Sequence, residues 1–293
     1  MTSTVVVGYD QSAPSEQALL VAAGEADLRG AVLAVVYAYH YARPTTPMLF
    51  ESPALQKIYE KAARETAEEG VEHARARYPD LDVRLKTEAG PAAHVLITAG
   101  RDADLLVVGN RGRGGFAGLL LGSVSMRVLG AASCPVIVTR GKAADPHGRV
   151  VAAIDIDDPG SADVLDFALD DAADRNAELV AVHVRDDEER WVMEQNLVAT
   201  GLMKSSQEIA TDLDTRLAAL ISRTRPRHPE VETSHRIAAG SAAKRLTEES
   251  DGADLMVVGA HRRHRAHGGM HVGPVATTLL HHACCPVAVV PHS

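Results

Sequence analysis

Asp104–Val138 reads DLLVVGNRGRGGFAGLLLGSVSMRVLGAASCPVIV, and this stretch decides the fold. Leu105–Val108 is a short, continuous apolar run, which predicts a parallel β-strand covered on both faces. Val136–Val138 predicts a second buried strand. The segment between the two strands is rich in glycine: Gly109, Gly112, Gly114, Gly115 and Gly118. Such a loop can turn sharply and bring backbone N–H groups close to a ligand.

A helix is predicted to begin at Gly122-Ser123, because Val124, Val128 and Leu129 are spaced for one buried face. Ser123 is the predicted N-cap. The free N–H groups at the start of that helix, together with its dipole, favour a phosphate. The alternative is that the glycine-rich segment is only a flexible connection.

Composition limits the classes of protein to consider. The chain has 293 residues, enough for two domains, and 46% of them are hydrophobic but only 3% aromatic, which predicts aliphatic cores. A net charge of −9 argues against a nucleic-acid-binding surface. Three cysteines without a C-x-x-C pair predict neither a disulfide framework nor a structural zinc site. With no signal peptide and no bilayer-length apolar run, we expect a cytoplasmic protein that does not bind a membrane.

Strand and helix patterns alternate from the first residues onward. Thr4–Tyr9 predicts a buried strand, and Asp10 follows at its carboxyl end. Alternation with short connections predicts a parallel sheet with helices on both faces, an α/β doubly wound fold. Ligands of such folds bind at the carboxyl ends of the strands, where the strand order reverses. Asp10 and the loop after Val108 are therefore expected to face one crevice.

The pattern then repeats with a period near 150 residues, which indicates domain duplication. DLLVVG at Asp104–Gly109 returns as DLMVVG at Asp254–Gly259, and Cys134-Pro135-Val136 returns as Cys285-Pro286-Val287. We predict a first domain over residues 1–140, a linker over 141–148 and a second domain over 149–293.

The spacing of the glycines resembles the ATP-binding signature of the universal stress protein family. Gly109-x-x-Gly112 is followed, after nine residues, by Gly122-Ser123. The chain has no Walker G-x-x-x-x-G-K-[ST] sequence, and its one G-x-G-x-x-A match does not lie directly between strand and helix. The resemblance implies two five-stranded sheets of order 3-2-1-4-5, of the adenine nucleotide alpha-hydrolase-like type. It also implies pairing through the last strands, here as an internal pseudo-dimer, with a further homodimer possible.

The same resemblance implies that an aspartate at position 10 contacts the nucleotide and that backbone near Ala38 contacts adenine. From the residues alone, Asp10 could equally be a helix N-cap. Ser123 and Ser125 could donate hydroxyl hydrogen bonds to phosphate oxygens, whereas Arg111 and Arg113 could add charge or be solvated. The predicted ATP site of the first domain comprises Gly8, Asp10, Ala38, Gly109, Asn110, Arg111, Gly112, Arg113, Gly114, Gly115, Gly122, Ser123, Val124 and Ser125.

The second copy departs from this signature. Arg262 replaces the second glycine, ten residues rather than nine precede Gly273, and Pro274 replaces the serine, which removes a hydroxyl and a backbone donor. We therefore predict a strong first site and a weaker, different or absent second one. The residues of the second site are Asp155, Val184, Gly259, Arg262 and Gly273.

Histidines are concentrated near the end of the chain, with His261, His264 and His267 at three-residue intervals in a predicted loop over 261–271. A metal site or a pH-responsive surface are the alternatives considered. A solvated basic loop is favoured, because no carboxylate or cysteine interleaves these histidines, and no metal site is predicted.

The function predicted from these features is that of an ATP-binding regulatory protein of the stress response. ATP is the expected ligand, with magnesium as an ion that could accompany it, and the protein partner is unknown. Slow ATP hydrolysis and a scaffold with a vestigial site are the alternatives. No base, water-positioning residue or paired metal carboxylates stand out in the sequence, so a main catalytic role is not expected.

Overall fold

The computed structural model describes residues 2–39, 53–113, 121–140, 146–185, 206–262 and 270–292. The chain forms two compact units: among the described residues, the first covers those up to Thr139 together with Met270, and the second covers Arg140–Arg262 and those from His271 onward. Residues 141–145 of the predicted linker lie outside the described residues. The elements of the first unit are β1 (Thr4–Gly8), α1 (Ala13–Leu28), β2 (Val32–Tyr39), α2 (Pro53–Arg77), β3 (Val83–Ala89), α3 (Ala92–Ala99), β4 (Leu105–Gly109), α4 (Ser123–Leu129) and β5 (Val136–Thr139).

The second half of the chain repeats this order with one additional short strand, β10. Its elements are β6 (Arg149–Ala153), α5 (Ser161–Arg175), β7 (Glu178–Arg185), α6 (Ser206–Thr224), β8 (Thr233–Ala239), α7 (Ala242–Glu249), β9 (Leu255–Arg262), β10 (Met270–His271), α8 (Pro274–His282) and β11 (Val287–His292). Single 3-10 turns cover Gly100–Asp102 and Arg225–Arg227.

The predicted strand order is confirmed in both units. The first sheet runs β3-β2-β1-β4-β5, and the corresponding strands of the second run β8-β7-β6-β9-β11. Neighbouring strands within each unit are parallel, with Val5 opposite both Leu33 and Leu105. Every residue of β4 is buried, as the continuous apolar run predicted for a strand covered on both faces.

Aliphatic side chains fill the core of each unit. Leu33, Leu106 and Ile137 are fully buried in the first, and Leu179 and Leu255 in the second. Helix α1 packs on β1 and β4, and its counterpart α5 packs on β6 and β9. The low aromatic content is therefore matched by sheets rich in Val, Leu, Ile and Ala, of which the β-branched Val and Ile suit a pleated surface.

An aspartate before the fourth strand of each unit fastens the first strand. Asp104 Oδ2 accepts hydrogen bonds from the Thr4 N–H at 2.8 Å and from the Ser3 hydroxyl at 2.9 Å. Asp254 accepts three backbone N–H bonds, from His147, Gly148 and Arg149, at 2.7–3.1 Å. Since hydrogen bonds to an ionised acceptor are the stronger kind, this carboxylate fixes where the strand begins.

Asp254→Ala should therefore lower the free energy of unfolding by about 1–3 kcal/mol, because three backbone donors lose their acceptor. Asp251→Ala, at an exposed position three residues earlier, is the control and should change the free energy by less than about 0.5 kcal/mol. Urea unfolding of the full chain measures both values. Equal losses from the two variants would contradict the assignment.

Candidate functional site

The candidate site of the first unit is a crevice at the carboxyl ends of β1 and β4. These adjacent strands continue into connections that leave in opposite directions, which is the place where open α/β sheets bind ligands. Asp10 lies just beyond β1, and residues 110–113 lie just beyond β4. The structure brings both together, as the strand order predicted.

Asp10 joins the two sides of this crevice. Its Oδ1 accepts hydrogen bonds from the Ser12 N–H at 3.1 Å and from the Ser12 hydroxyl. Its Oδ2 accepts the backbone N–H of Arg113, across the crevice, at 3.1 Å. The N-cap of α1 is Ser12, whose hydroxyl accepts the Ser15 N–H. Asp10 is therefore not the N-cap, and its carboxylate holds the helix start and the loop in register.

The environment of Asp10 favours the ionised carboxylate. Partial burial acts to raise the pKa of Asp10, but hydrogen bonds from Ser12, Ser15 and the Arg113 backbone outweigh it and hold the pKa below its ordinary value. A carboxylate that is both engaged and hard to protonate is a poor general base. It remains a good acceptor, because a carboxylate has about four lone-pair positions.

The described ends of the glycine-rich loop are fastened to each other. The Gly122 N–H donates to the Asn110 carbonyl at 2.7 Å, and the Ser125 hydroxyl donates to the Gly109 carbonyl at 2.7 Å. Ser125 is buried and its hydroxyl secures the loop, whereas a contact of that hydroxyl with a phosphate stays a prediction. The predicted N-cap is wrong, because Gly122 is the N-cap of α4 and the exposed Ser123 is its first residue.

Two glycines of the signature are explained by close approach. A Cβ on Gly109 would lie 2.7 Å from the Pro14 carbonyl oxygen and 3.0 Å from that of Arg111. A Cβ on Gly112 would lie 2.8 Å from Asp10 Oδ2. Gly8, predicted as a ligand contact through its backbone, also has a packing role, since a Cβ there would lie 2.8 Å from Leu96 Cδ1 of α3. The sequence did not reveal that contact, because Leu96 is distant in the chain.

The two loop arginines have different surroundings. Arg111 is half-buried, and its Nε is buried without a hydrogen-bond partner among the described residues. Arg113 is exposed and contributes its backbone N–H to Asp10. Arg111 therefore offers a guanidinium that an anion in the crevice would satisfy.

The remaining predicted residues lie near the same edge or outside the description. Ala38 is half-buried near the end of β2, and Val124 is half-buried in the first turn of α4. Gly114 and Gly115 lie outside the described residues.

The second unit has a cavity of about 310 Å³ at the equivalent edge. Asp155, Val184, Gly259 and Gly273 all line it, so the structure brings four of the five predicted second-site residues together. Arg262, the fifth, is exposed at the end of β9 and does not line the cavity. The volume is at the lower end of the range of small-molecule sites.

The chemistry of this cavity differs from that of the first crevice. Asp155 is exposed, and its Oδ1 accepts the Asp157 N–H at 3.1 Å within its own loop. Gly273 is the N-cap of α8, and Pro274 occupies the first position, where it supplies no N–H. His261 and His292 also line the cavity, and in the sequence repeat they align with Arg111 and Gly141 of the first copy.

A sequence model described as the universal stress protein family matches residues 1–140 and, a second time, residues 147–291. The chain belongs to the universal stress protein family. It carries the family domain twice, as the resemblance of its glycine-rich segment indicated.

Similar universal stress proteins occur in mycobacteria. One from Mycolicibacterium smegmatis is 32% identical over 298 residues, covering 98% of this chain and 96% of the relative. One from Mycobacterium tuberculosis is 33% identical over 296 residues, with 99% and 97% covered. The crystal structure of a universal stress protein from Archaeoglobus fulgidus has a TM-score of 0.70 and 19% identity, and 99% of this chain is covered against 98% of that one. At that identity the likeness supports the fold.

Among the described residues, no helix combines the length and apolar character needed to cross a membrane.

Gly109→Ala should lower the free energy of unfolding by about 2–3 kcal/mol, because the new Cβ would collide with backbone that cannot rotate away. Gly273→Ala is the control, since nothing lies within 4 Å of the position of its Cβ. That variant should lose no more than about 1 kcal/mol, the cost of a poorer N-cap. Chemical denaturation of both variants measures the difference, and a harmless Gly109→Ala would show that the close approach does not constrain the loop.

Asp10→Asn should reduce stability at neutral pH, and the reduction should shrink as the pH falls. Because the folded-state pKa of Asp10 is lowered, its ionised form contributes stability above the unfolded pKa, near 3.9, and loses that contribution as the pH falls through the folded value. Unfolding free energies of both proteins across this acid range test the sign. A difference that stays constant, or that grows toward acid, would contradict it.

Proposed function

We propose that this universal stress protein binds one adenine nucleotide, ATP, in the crevice of its first domain, and that binding rather than catalysis is its output. The single observation that carries the proposal is the hydrogen bond from the Arg113 N–H to Asp10 Oδ2, which fastens the glycine-rich loop over the switch point of the sheet. A carboxylate acceptor, exposed backbone and a cationic side chain thereby share one edge. The carboxylate suits a hydrogen-bond donor of the ribose or adenine, and the backbone N–H groups and the cation suit the phosphates.

Arg111 supports the anionic part of the ligand. Its Nε is buried and lacks a hydrogen-bond partner among the described residues, which is a costly state that a phosphate oxygen would relieve. The chain as a whole carries a net charge of −9, so the positive charge of Arg111 at this edge is opposite in sign to the charge of the protein. Magnesium, if it accompanies ATP, would be held mainly by the phosphates and water, since Mg²⁺ retains much of its hydration.

A binding role is favoured over hydrolysis by the state of Asp10. Both of its oxygens already accept hydrogen bonds from the chain, and its pKa is held low, so it cannot readily take a proton from an attacking water. Nucleotide binding would change the balance of loop conformations through its differential contacts with them. A protein partner that contacts the loop would then sense whether the nucleotide is present.

The second domain is proposed not to hold ATP in the same way. Its aspartate is exposed and bonded within its own loop, and Pro274 removes a donor at the start of α8. In the sequence repeat, His261 and His292 replace Arg111 and Gly141. These replacements alter the acceptor, the donor and the cation together.

Titration calorimetry with ATP and magnesium on the full chain should give one site per chain. Asp10→Ala should weaken binding by at least about tenfold, since a partner of the loop and a ligand acceptor are both lost. Asp155→Ala is the matched control in the second domain and should leave the affinity unchanged. Two equal sites, or a larger loss in Asp155→Ala than in Asp10→Ala, would overturn the proposal.

A further inference from the structure

The cavity of the second domain contains a cluster of three metal-ligating side chains. Asp158, His261 and His292 each direct one ligand atom toward the others, and these three atoms lie within 4.8 Å of one another. All three residues line the cavity of about 310 Å³. Asp158 is contributed by the loop before α5, whereas His261 is the second-last residue of β9 and His292 is the last residue of the neighbouring strand β11.

The distances leave room for an ion between the groups. His261 Nε2 lies 3.4 Å from Asp158 Oδ2, and His292 Nε2 lies 3.5 Å from the same oxygen. Both separations exceed those of a good N–H···O hydrogen bond. They are close to the ~3.3 Å between neighbouring ligand atoms around a tetrahedral zinc with bonds of about 2.05 Å.

His292 is the unusual member of the cluster. Its side chain is only 3% exposed, and its Nδ1 is buried without a hydrogen-bond partner among the described residues. The ring fits because Gly160 and Gly259 flank it, and a Cβ on either residue would collide with the imidazole. The other ring nitrogen, Nε2, is the one that lies next to Asp158, so it is the atom of this buried ring that is placed to bind a metal ion.

Asp158 is oriented by the chain around it. Its Oδ1 accepts the Gly160 N–H at 2.8 Å, which leaves Oδ2 directed toward the two histidines. Supporting hydrogen bonds of this kind fix the ligands of metal sites. The side chain is 15% exposed, so its charge is only partly screened by water.

The histidine pair arises from a local change between the two copies. Strand β4 ends at Gly109, paired with Thr139, whereas β9 continues past the equivalent Gly259 to Arg262. This extension places His261 directly opposite His292 on adjacent parallel strands, with ring centroids 4.6 Å apart. His261 is therefore part of a strand, and the predicted solvated loop over 261–271 is wrong at both ends, since Met270–His271 forms β10. His264 and His267 lie outside the described residues.

We propose that Asp158, His261 and His292 bind a divalent transition-metal ion, of which zinc is the best fit. Two imidazole nitrogens and one carboxylate oxygen suit zinc and its neighbours better than Mg²⁺ or Ca²⁺, which prefer oxygen ligands. Three protein ligands leave a fourth position for water or for a ligand in the cavity. His261, 63% exposed, can rotate to complete the site.

The test uses the full chain, freed of metal by a chelator and titrated with zinc by calorimetry. We expect one zinc per chain, and His261→Ala should weaken binding by about 100-fold or more, because losing a ligand costs at least as much as losing its supporting residue. Asp158→Asn, which keeps the acceptor for Gly160, should weaken zinc binding in the same range. Cobalt substitution should give the visible absorption of a four-coordinate ion in the unmodified chain and lose it in both variants.

The double variant His264→Ala/His267→Ala is the matched control and should bind zinc as the unmodified chain does. Exposed His261 should tolerate substitution, so melting of the metal-free variants verifies that they fold. The proposal is overturned if stripped protein binds no zinc, if His261→Ala binds it normally, or if only the double variant loses it. ATP binding in the first domain is measured separately, so either proposal can fail alone.

Discussion

The pairing of β1 with β4 is the constraint on which the rest of the first domain depends. Val5, Val6 and Val7 lie opposite Leu105, Leu106 and Val107, and β2 occupies the other side of β1. The connections from the two central strands must therefore leave in opposite directions, which opens a crevice at their carboxyl ends. The same parallel pairing recurs between β6 and β9, so each domain has a crevice of the same kind at the carboxyl ends of its two central strands.

The chemistry of each crevice depends on a few residues around it. In the first, glycine at 109 allows the loop to pass close to Pro14, and the Asp10 carboxylate then fastens it at Arg113. In the second, β9 continues for three more residues, and one of them is His261, which aligns with Arg111 of the first copy. Duplication thus preserved the sheet, where every buried strand position is under packing constraint, and allowed the chemistry of its edge to diverge. The proposed nucleotide and metal sites are two outcomes of that divergence.

The sequence predicted the fold and part of the site, and the limits have physical reasons. Continuous apolar runs such as Leu105–Val108 identify buried strands, and repetition of DLLVVG as DLMVVG identifies the second domain. The crevice followed from strand order. By contrast, the packing role of Gly8 depends on its contact with Leu96, and the environment of His292 depends on Gly160 and Asp158. These contacts join residues that are far apart in the chain, so a local sequence pattern cannot predict them. Ser123 fails as an N-cap because Gly122 already has the extended backbone which that position requires.

The most direct test of the central claim, that matching edges of two similar sheets now serve different ligands, is a crystal structure of the full chain grown with a non-hydrolysable ATP analogue. The account predicts nucleotide density beside Asp10 and Arg111, and none in the cavity lined by Asp155 and Gly273. Nucleotide bound in that second cavity, or in both places with equivalent contacts, would contradict it.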